Sequence, residues 1–189
     1  MEMGSKEMVE CVINIFGGPG VGKSTVASGL FYFLKIKHYD VEIISEYAKQ
    51  LTYEERWDIL KQDQLTILAK QHSKLRVVAK HRRLVVVDSP LLLSKVYFNP
   101  KTNITDASLF LPLVVQMFNA YPNYNILLRR NPELPYEEAG RYQTLDEAKD
   151  IDNKVKKFLD SYNIPYWEIL ADESAPLLIM DNMKKKGLL

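Results

Sequence analysis

The sequence predicts an α/β fold, with a mainly parallel sheet of five strands and helices packed on both faces. Three observations predict it. Short apolar segments alternate with longer segments of helical period along the chain. Leu84-Val85-Val86-Val87 is apolar throughout, as a strand buried on both faces of a parallel sheet must be. A glycine-rich run over residues 17–25 lies between the first strand and the first helix, where a backbone turn can meet an anion at a helix N-terminus.

The bulk properties narrow the class. A chain of 189 residues with 47% hydrophobic and 26% charged residues suits one globular unit, so residues 1–189 are expected to form a single domain. The net charge of +1 gives no field for general attraction to nucleic acid or to an anionic membrane. The single cysteine, Cys11, falls in the first strand and has no internal partner, which fits a buried, reduced thiol. The first seven residues carry charges where a signal peptide needs an apolar run, and no segment is long enough to span a bilayer. A cytoplasmic location is expected.

The elements follow in order. Val12-Ile13-Asn14-Ile15-Phe16 reads as the entering strand and residues 25–34 as the helix that leaves the glycine run. Gly29 within that helix costs about 1 kcal/mol against alanine, which suggests close packing on the sheet. Val41-Glu42-Ile43-Ile44-Ser45 is a second strand. Thr52-Tyr53-Glu54-Glu55 has the form of a capping box opening a helical region to Lys80, with a break near residues 61–63. Leu65, Leu68, Ala69, His72, Leu75 and Ala79 fall on one predicted face of its second piece.

After the third strand, Leu84 to Val87, residues 99–106 read as a loop and residues 109–120 as an apolar helix. Asn125-Ile126-Leu127-Leu128 is a fourth strand, and residues 131–143, with two prolines and Gly140, read as a mobile segment. Thr144-Leu145-Asp146-Glu147 is a second capping box before an amphipathic helix. Tyr166-Trp167-Glu168-Ile169-Leu170 is the fifth strand. A last amphipathic segment ends in Lys184-Lys185-Lys186, expected to be a solvated tail.

The glycine run is the most specific signal. Gly17-Gly18-Pro19-Gly20-Val21-Gly22-Lys23-Ser24-Thr25 satisfies G-x-x-x-x-G-K-[ST], the Walker A loop whose backbone N–H groups cradle phosphates. The strand before it and the helix after it are the context the motif requires. Lys23 would reach the terminal phosphates of a nucleoside triphosphate, and the Ser24 hydroxyl would coordinate Mg2+. Asp88, ending the valine run, has the Walker B form and would hold the same ion; its alternative is to cap the next helix.

Ligands in such sheets sit beyond the carboxyl ends of the strands, and the loop, Glu46, Asp88 and Arg129 all follow strand ends. Glu46 could orient a phosphoryl acceptor or take its proton, or it could be an ordinary acid at a helix N-terminus. Arg129, Arg130 and Arg141 are candidates to clamp a transferring phosphoryl group, Arg141 foremost. Gln64 and Gln71, two helical turns apart, could read a nucleobase or a pyridine carboxamide by paired hydrogen bonds. Tyr47, Tyr53 and Trp57 could stack on a base or pack in the core. His38, His72 and His81 show no metal-ligand spacing.

These residues resemble a known group. Residues 17–25, the Glu46-Tyr47-Ala48-Lys49 turn and Val87-Asp88-Ser89-Pro90 are together similar to the NadR/Ttd14-like P-loop proteins, which include the ribosylnicotinamide kinase domain and phage-encoded ATP-binding proteins. Gly140-Arg141-Tyr142-Gln143 looks like the phage members in particular. The resemblance implies the nucleoside and nucleotide kinase architecture, a sheet in order 2-3-1-4-5 and a lid after the fourth strand. It also implies ATP with Mg2+ and phosphorylation of a nucleoside-like hydroxyl, with Glu46 in the place of the carboxylate that faces the acceptor in deoxynucleoside kinases. Asp88-Ser89-Pro90 stands where those kinases carry Glu-Arg-Ser, so the acceptor stays open.

The leading expectation is a kinase that transfers the terminal phosphate of ATP to a nucleoside, ribosylnicotinamide or nucleotide. One alternative is a kinase of a modified base in phage DNA, which the near-neutral charge opposes. The other is a nucleotide-dependent regulator that turns over ATP slowly or not at all. The guanine motifs of a GTPase are absent from the sequence.

Overall fold

The computed structural model describes residues 9–137 and 143–189. Five parallel strands form one sheet in the order β2-β3-β1-β4-β5. They are β1 (Cys11–Phe16), β2 (Val41–Ile44), β3 (Leu84–Val87), β4 (Asn123–Arg129) and β5 (Trp167–Leu170). The expected fold class and strand order are both found. β1 lies at the centre, paired with β3 on one side and β4 on the other, so its exit faces the exits of both neighbours. Among the described residues, eight helices connect and cover the strands: α1 (Lys23–Ile36), α2 (Tyr47–Tyr53), α3 (Trp57–Gln62), α4 (Gln64–Ala79), α5 (Leu93–Val96), α6 (Ala107–Asn119), α7 (Leu145–Ser161) and α8 (Ala175–Lys185).

Alternation along the strands divides the core in two. Ile13, Ile15, Val86, Ile126 and Leu128 face Val26, Leu30 and Leu34 of α1 and Ile179, Met180 and Met183 of α8. Val12, Phe16, Val85, Val87 and Leu127 face Leu68 and Leu75 of α4, Phe110 and Val114 of α6 and Val155 and Leu159 of α7. All six residues of β1 are buried, which is why the strand carries no polar alternation. Its one polar residue, Asn14, donates to the Oδ1 atoms of Asn123 (2.9 Å) and Asn125 (3.0 Å), and so ties the β1–β4 register through side chains as well as backbone. Cys11 is free and buried, and burial pushes its thiol up to about 12.

Four local readings are corrected, while the expected break near residues 61–63 is found between α3 and α4. Thr52 does not open a helix: it lies inside α2, its hydroxyl donating to Ala48 O (3.1 Å), and an additional break follows at Glu55, whose φ is +56°. The α4 N-cap is Asp63, which accepts from the Thr66 N–H (2.9 Å). The buried face of α4 is rotated, with Gln64, Ile67, Leu68, Gln71, Leu75 and Ala79 inward and Leu65 and Ala69 exposed. An apolar count misses this face because two glutamines belong to it. Gly29 packs not on the sheet but on α8, where an added Cβ would stand 2.8 Å from Pro176 Cγ. The C-terminal lysines are exposed as expected, but the tail turns back after them: Leu188 N–H donates to Met183 O (3.0 Å), and Leu188 and Leu189 rest on the α1–α8 core. The Thr144 capping box is formed in full by Thr144 and Glu147. Among the described residues, no helix is long and apolar enough to cross a membrane.

Candidate functional site

The glycine run forms a tight loop between β1 and α1. Gly17, Gly20 and Gly22 have φ of +149°, +68° and +101°, values that a side chain would strain. Gly18 has no such φ; it must lack a Cβ because one would collide with Asp152 and stand 2.9 Å from Ala148 O. The α1 N-terminus has no side-chain cap and no acid in its first turn. Its leading N–H groups and the positive end of its dipole are therefore left to an external anion. Lys23 is buried in the loop, its Nζ donating to Gly18 O at 2.9 Å.

β3 delivers Asp88 beside this loop. The Asp88 N–H extends the ladder by donating to Ile44 O (3.1 Å), which fixes the backbone just past the strand. The Ser24 hydroxyl donates to Asp88 Oδ2 at 2.7 Å. Asp88 Oδ1 is the one buried side-chain polar atom without a hydrogen-bond partner among the described residues. A buried carboxylate oxygen with no partner costs a few kcal/mol (~1–3, more when charged) unless a cation or water meets it. With the adjacent serine oxygen, it makes a hard-oxygen donor pair of the kind that suits Mg2+.

The loop opens onto a cleft of about 320 Å³. Pro19, Gly20 and Gly22 to Thr25 line it together with Glu46, Gln64, Ser89, Ser94, Tyr97, Glu137 and Gln143. Glu46 is half-buried and sits at the N-cap of α2, yet its side chain makes no capping bond there. Gln64 is buried, and its Nε2 donates to Leu60 O (3.0 Å).

The remaining candidates fall elsewhere. Gln71 does not line the cleft: its Oε1 accepts from Tyr47 N–H (3.1 Å) and its Nε2 donates to Ser45 O (3.4 Å), so it straddles the turn that carries Glu46. Tyr47 lies beneath Lys74, whose Nζ is 5.6 Å from the ring centroid, and is outside the cleft lining. Tyr53 is 72% exposed at the cleft mouth. Arg129 is exposed and outside the lining. Arg130 turns to the back of the loop, pairing with Asp152 (2.8 Å) and donating to Pro19 O (2.7 Å). Arg141 lies outside the described residues. Residues 131–137 and 143 contain no helix or strand, and Tyr136 OH donates across them to Gln143 O (2.9 Å).

Sequence reasoning missed Asp152, Ser94 and Tyr97. Asp152 is one acid among several on α7, and its only sequence signal was a glycine at position 18, which the Walker A pattern leaves open. Ser94 and Tyr97 follow from α5, a single turn with no periodicity to read.

Comparison with known proteins agrees with this fold. No curated protein sequence matches the chain. Deoxyadenosine kinase from M. mycoides, solved with products dCMP and a flexible dCDP, superposes with a TM-score of 0.58 at 17% identity, over 92% of this chain and 99% of that one. The same enzyme with bound dATP gives 0.57 at 21% identity. NadR in complex with NAD and AMP-PNP gives 0.61 at 15% identity, over 95% of this chain and 50% of NadR, so the chain spans about half of that protein. At such identities the likeness is one of fold. The model of an AAA domain, AAA_28, matches residues 12–174, and this chain belongs to that family of P-loop domains, folded like the NadR and deoxyadenosine kinase structures.

Proposed function

We propose that this protein is an ATP- and Mg2+-dependent kinase that transfers a terminal phosphate to a hydroxyl of a small nucleoside-like acceptor. The observation that carries the reading is a cleft lined both by the glycine loop, whose Ser24 bonds Asp88, and by Glu46 and Gln64. The printed ligands of the fold neighbours support the reading: dATP and AMP-PNP on the donor side, dCMP and NR among the rest.

In this reading the α1 N-terminus and Lys23 bind the triphosphate, and Lys23 offsets charge that builds on the transferred group. Ser24 and Asp88 would hold Mg2+, which supplies charge neutralisation at the phosphate oxygens. Glu46 orients the acceptor hydroxyl and takes its proton, while Gln64 offers an amide to the acceptor's base. Arg141, which follows β4 in sequence, is proposed to contact the phosphoryl group. Gln71 and Tyr47 act on the Glu46 turn rather than on ligand, and Arg130 acts on the loop.

The test incubates protein, ATP and Mg2+ with nucleosides, ribosylnicotinamide and nucleoside monophosphates, reading product by mass. Wild type is expected to phosphorylate at least one, and Glu46→Gln to lose about 100-fold or more in kcat with ATP affinity kept, the usual scale of a removed general base. ATP hydrolysis unaffected by any acceptor, and equal in Glu46→Gln, would favour the nucleotide-dependent regulator instead.

A further inference from the structure

We infer that Asp152 and Arg130 form a clamp on the outside of the phosphate loop that sets the loop for triphosphate before it arrives. The clamp rests on the nucleotide-site reading above. Asp152 Oδ1 accepts from the Gly18 N–H at 2.7 Å, and its Oδ2 accepts from Arg130 Nε at 2.8 Å. Arg130 Nη2 then donates to Pro19 O at 2.7 Å. Both side chains are mostly buried, 15% exposed for Arg130 and 22% for Asp152, so the bonds are charge-assisted and little screened.

The pattern of bonds is specific. The Gly18 N–H belongs to the peptide before the Gly18–Pro19 unit and the Pro19 carbonyl to the peptide after it. The clamp therefore holds the peptides on both sides of the one whose carbonyl, Gly18 O, receives the Lys23 ammonium. That places the Lys23 side chain under the control of two residues that never face the cleft. It also accounts for glycine at position 18, where the backbone is ordinary and only the approach of Asp152 and Ala148 forbids a Cβ. Arg130 begins the segment that runs from β4 toward α7, and its guanidinium carbon lies 5.7 Å from the Tyr136 ring centroid. The same arginine thus touches both the loop and the start of the connection that reaches the cleft rim. Asp152 and Arg130 are positioning residues: they act through Gly18, Pro19 and Lys23.

A ligand binds with an affinity reduced by the fraction of protein already competent, so a clamp that raises that fraction tightens ATP binding without touching ATP. Asp152→Asn keeps the shape but places an amide N–H against Arg130 Nε, and Arg130→Met removes the other half. Calorimetry with MgATP, thermal unfolding and the Gly18 amide resonance of ligand-free protein are measured on wild type, both variants and Glu168→Gln. The last breaks the pair that Lys156 of the same helix makes with Glu168 of β5, away from the loop. Both clamp variants are expected to bind MgATP about tenfold more weakly, the loss that leaves a tenth of the molecules preset. The Gly18 amide proton should move upfield in Asp152→Asn, acceptor KM should be unchanged, and Glu168→Gln should match wild type in affinity. MgATP affinity in both clamp variants equal to wild type overturns the clamp while leaving the nucleotide site intact. A wild type that binds no MgATP overturns the nucleotide-site reading, and the clamp's purpose with it.

Discussion

Replacing Gln71 with leucine separates a residue that ties down the turn carrying Glu46 from one that would touch a ligand. Gln71 is 4% exposed, in line with Leu68 and Leu75 on the inner face of α4. Its Oε1 takes the Tyr47 N–H, one of the four donors that open α2 without an internal partner, at 3.1 Å. The second bond, Nε2 to Ser45 O, is 3.4 Å long and counts for less. Leucine preserves the packing volume but leaves the Tyr47 N–H without its acceptor, which costs about 1–3 kcal/mol. In a chain of this size each kcal/mol lowers Tm by about 2–4 °C, so a fall of roughly 2–12 °C is expected. Because the turn between Ser45 and Tyr47 carries Glu46, kcat should fall with it. MgATP affinity should stay at the wild-type value, since the phosphate loop hangs from β1 and α1. Thermal unfolding by circular dichroism and calorimetric titration of MgATP read the two quantities. A variant with wild-type Tm and a raised acceptor KM would refute the reasoning and return Gln71 to the cleft.

Two further substitutions test the scaffold. Gly29→Ala should destabilise the fold although alanine is the better helix former: the added methyl stands 2.8 Å from Pro176 Cγ, and overpacking costs of about 1–3 kcal/mol exceed a propensity gain of about 1. Chemical denaturation measures it, and a stabilised variant would contradict the α1–α8 contact. Burial, and then the charge of Arg76, lower the His72 pKa below its ordinary 6.5. The unfolded chain therefore binds the proton first, and the His72 contribution to stability is lost as pH falls from about 6.5 toward the lowered folded value. His72→Gln should flatten that part of the stability profile, which denaturant midpoints between pH 7.5 and 5 would show. An unchanged slope assigns the acid sensitivity elsewhere.

The sheet was legible because each strand is a short apolar run and each crossover carries a helical period; parallel strands buried on both faces leave that trace. The phosphate loop was legible because positive φ at Gly17, Gly20 and Gly22 forces glycine into a fixed spacing. Asp88 was legible as the first acid after a strand that ends beside the loop. The face of α4 was not, because Gln64 and Gln71 are buried through hydrogen bonds that no hydropathy pattern registers. Two glutamines at equivalent positions part company in three dimensions, one lining the cleft and the other tying the backbone behind it. The Arg129-Arg130 pair separates in the same way, one side chain exposed and the other turned under the loop, since consecutive residues leaving a strand point to opposite sides. Asp152 comes from a helix more than a hundred residues away from the glycine it holds, a contact that belongs to topology alone.

The central claim is that the loop and Asp88 act together on a magnesium-bound triphosphate. Calorimetric titration of ATP into the protein with Mg2+ present, set beside the same titration into Asp88→Asn, tests it most directly. The account predicts saturable binding to wild type and clearly weaker binding to the variant, because the partnerless Oδ1 would no longer carry charge. Equal heats from the two proteins, or none from wild type, would contradict it.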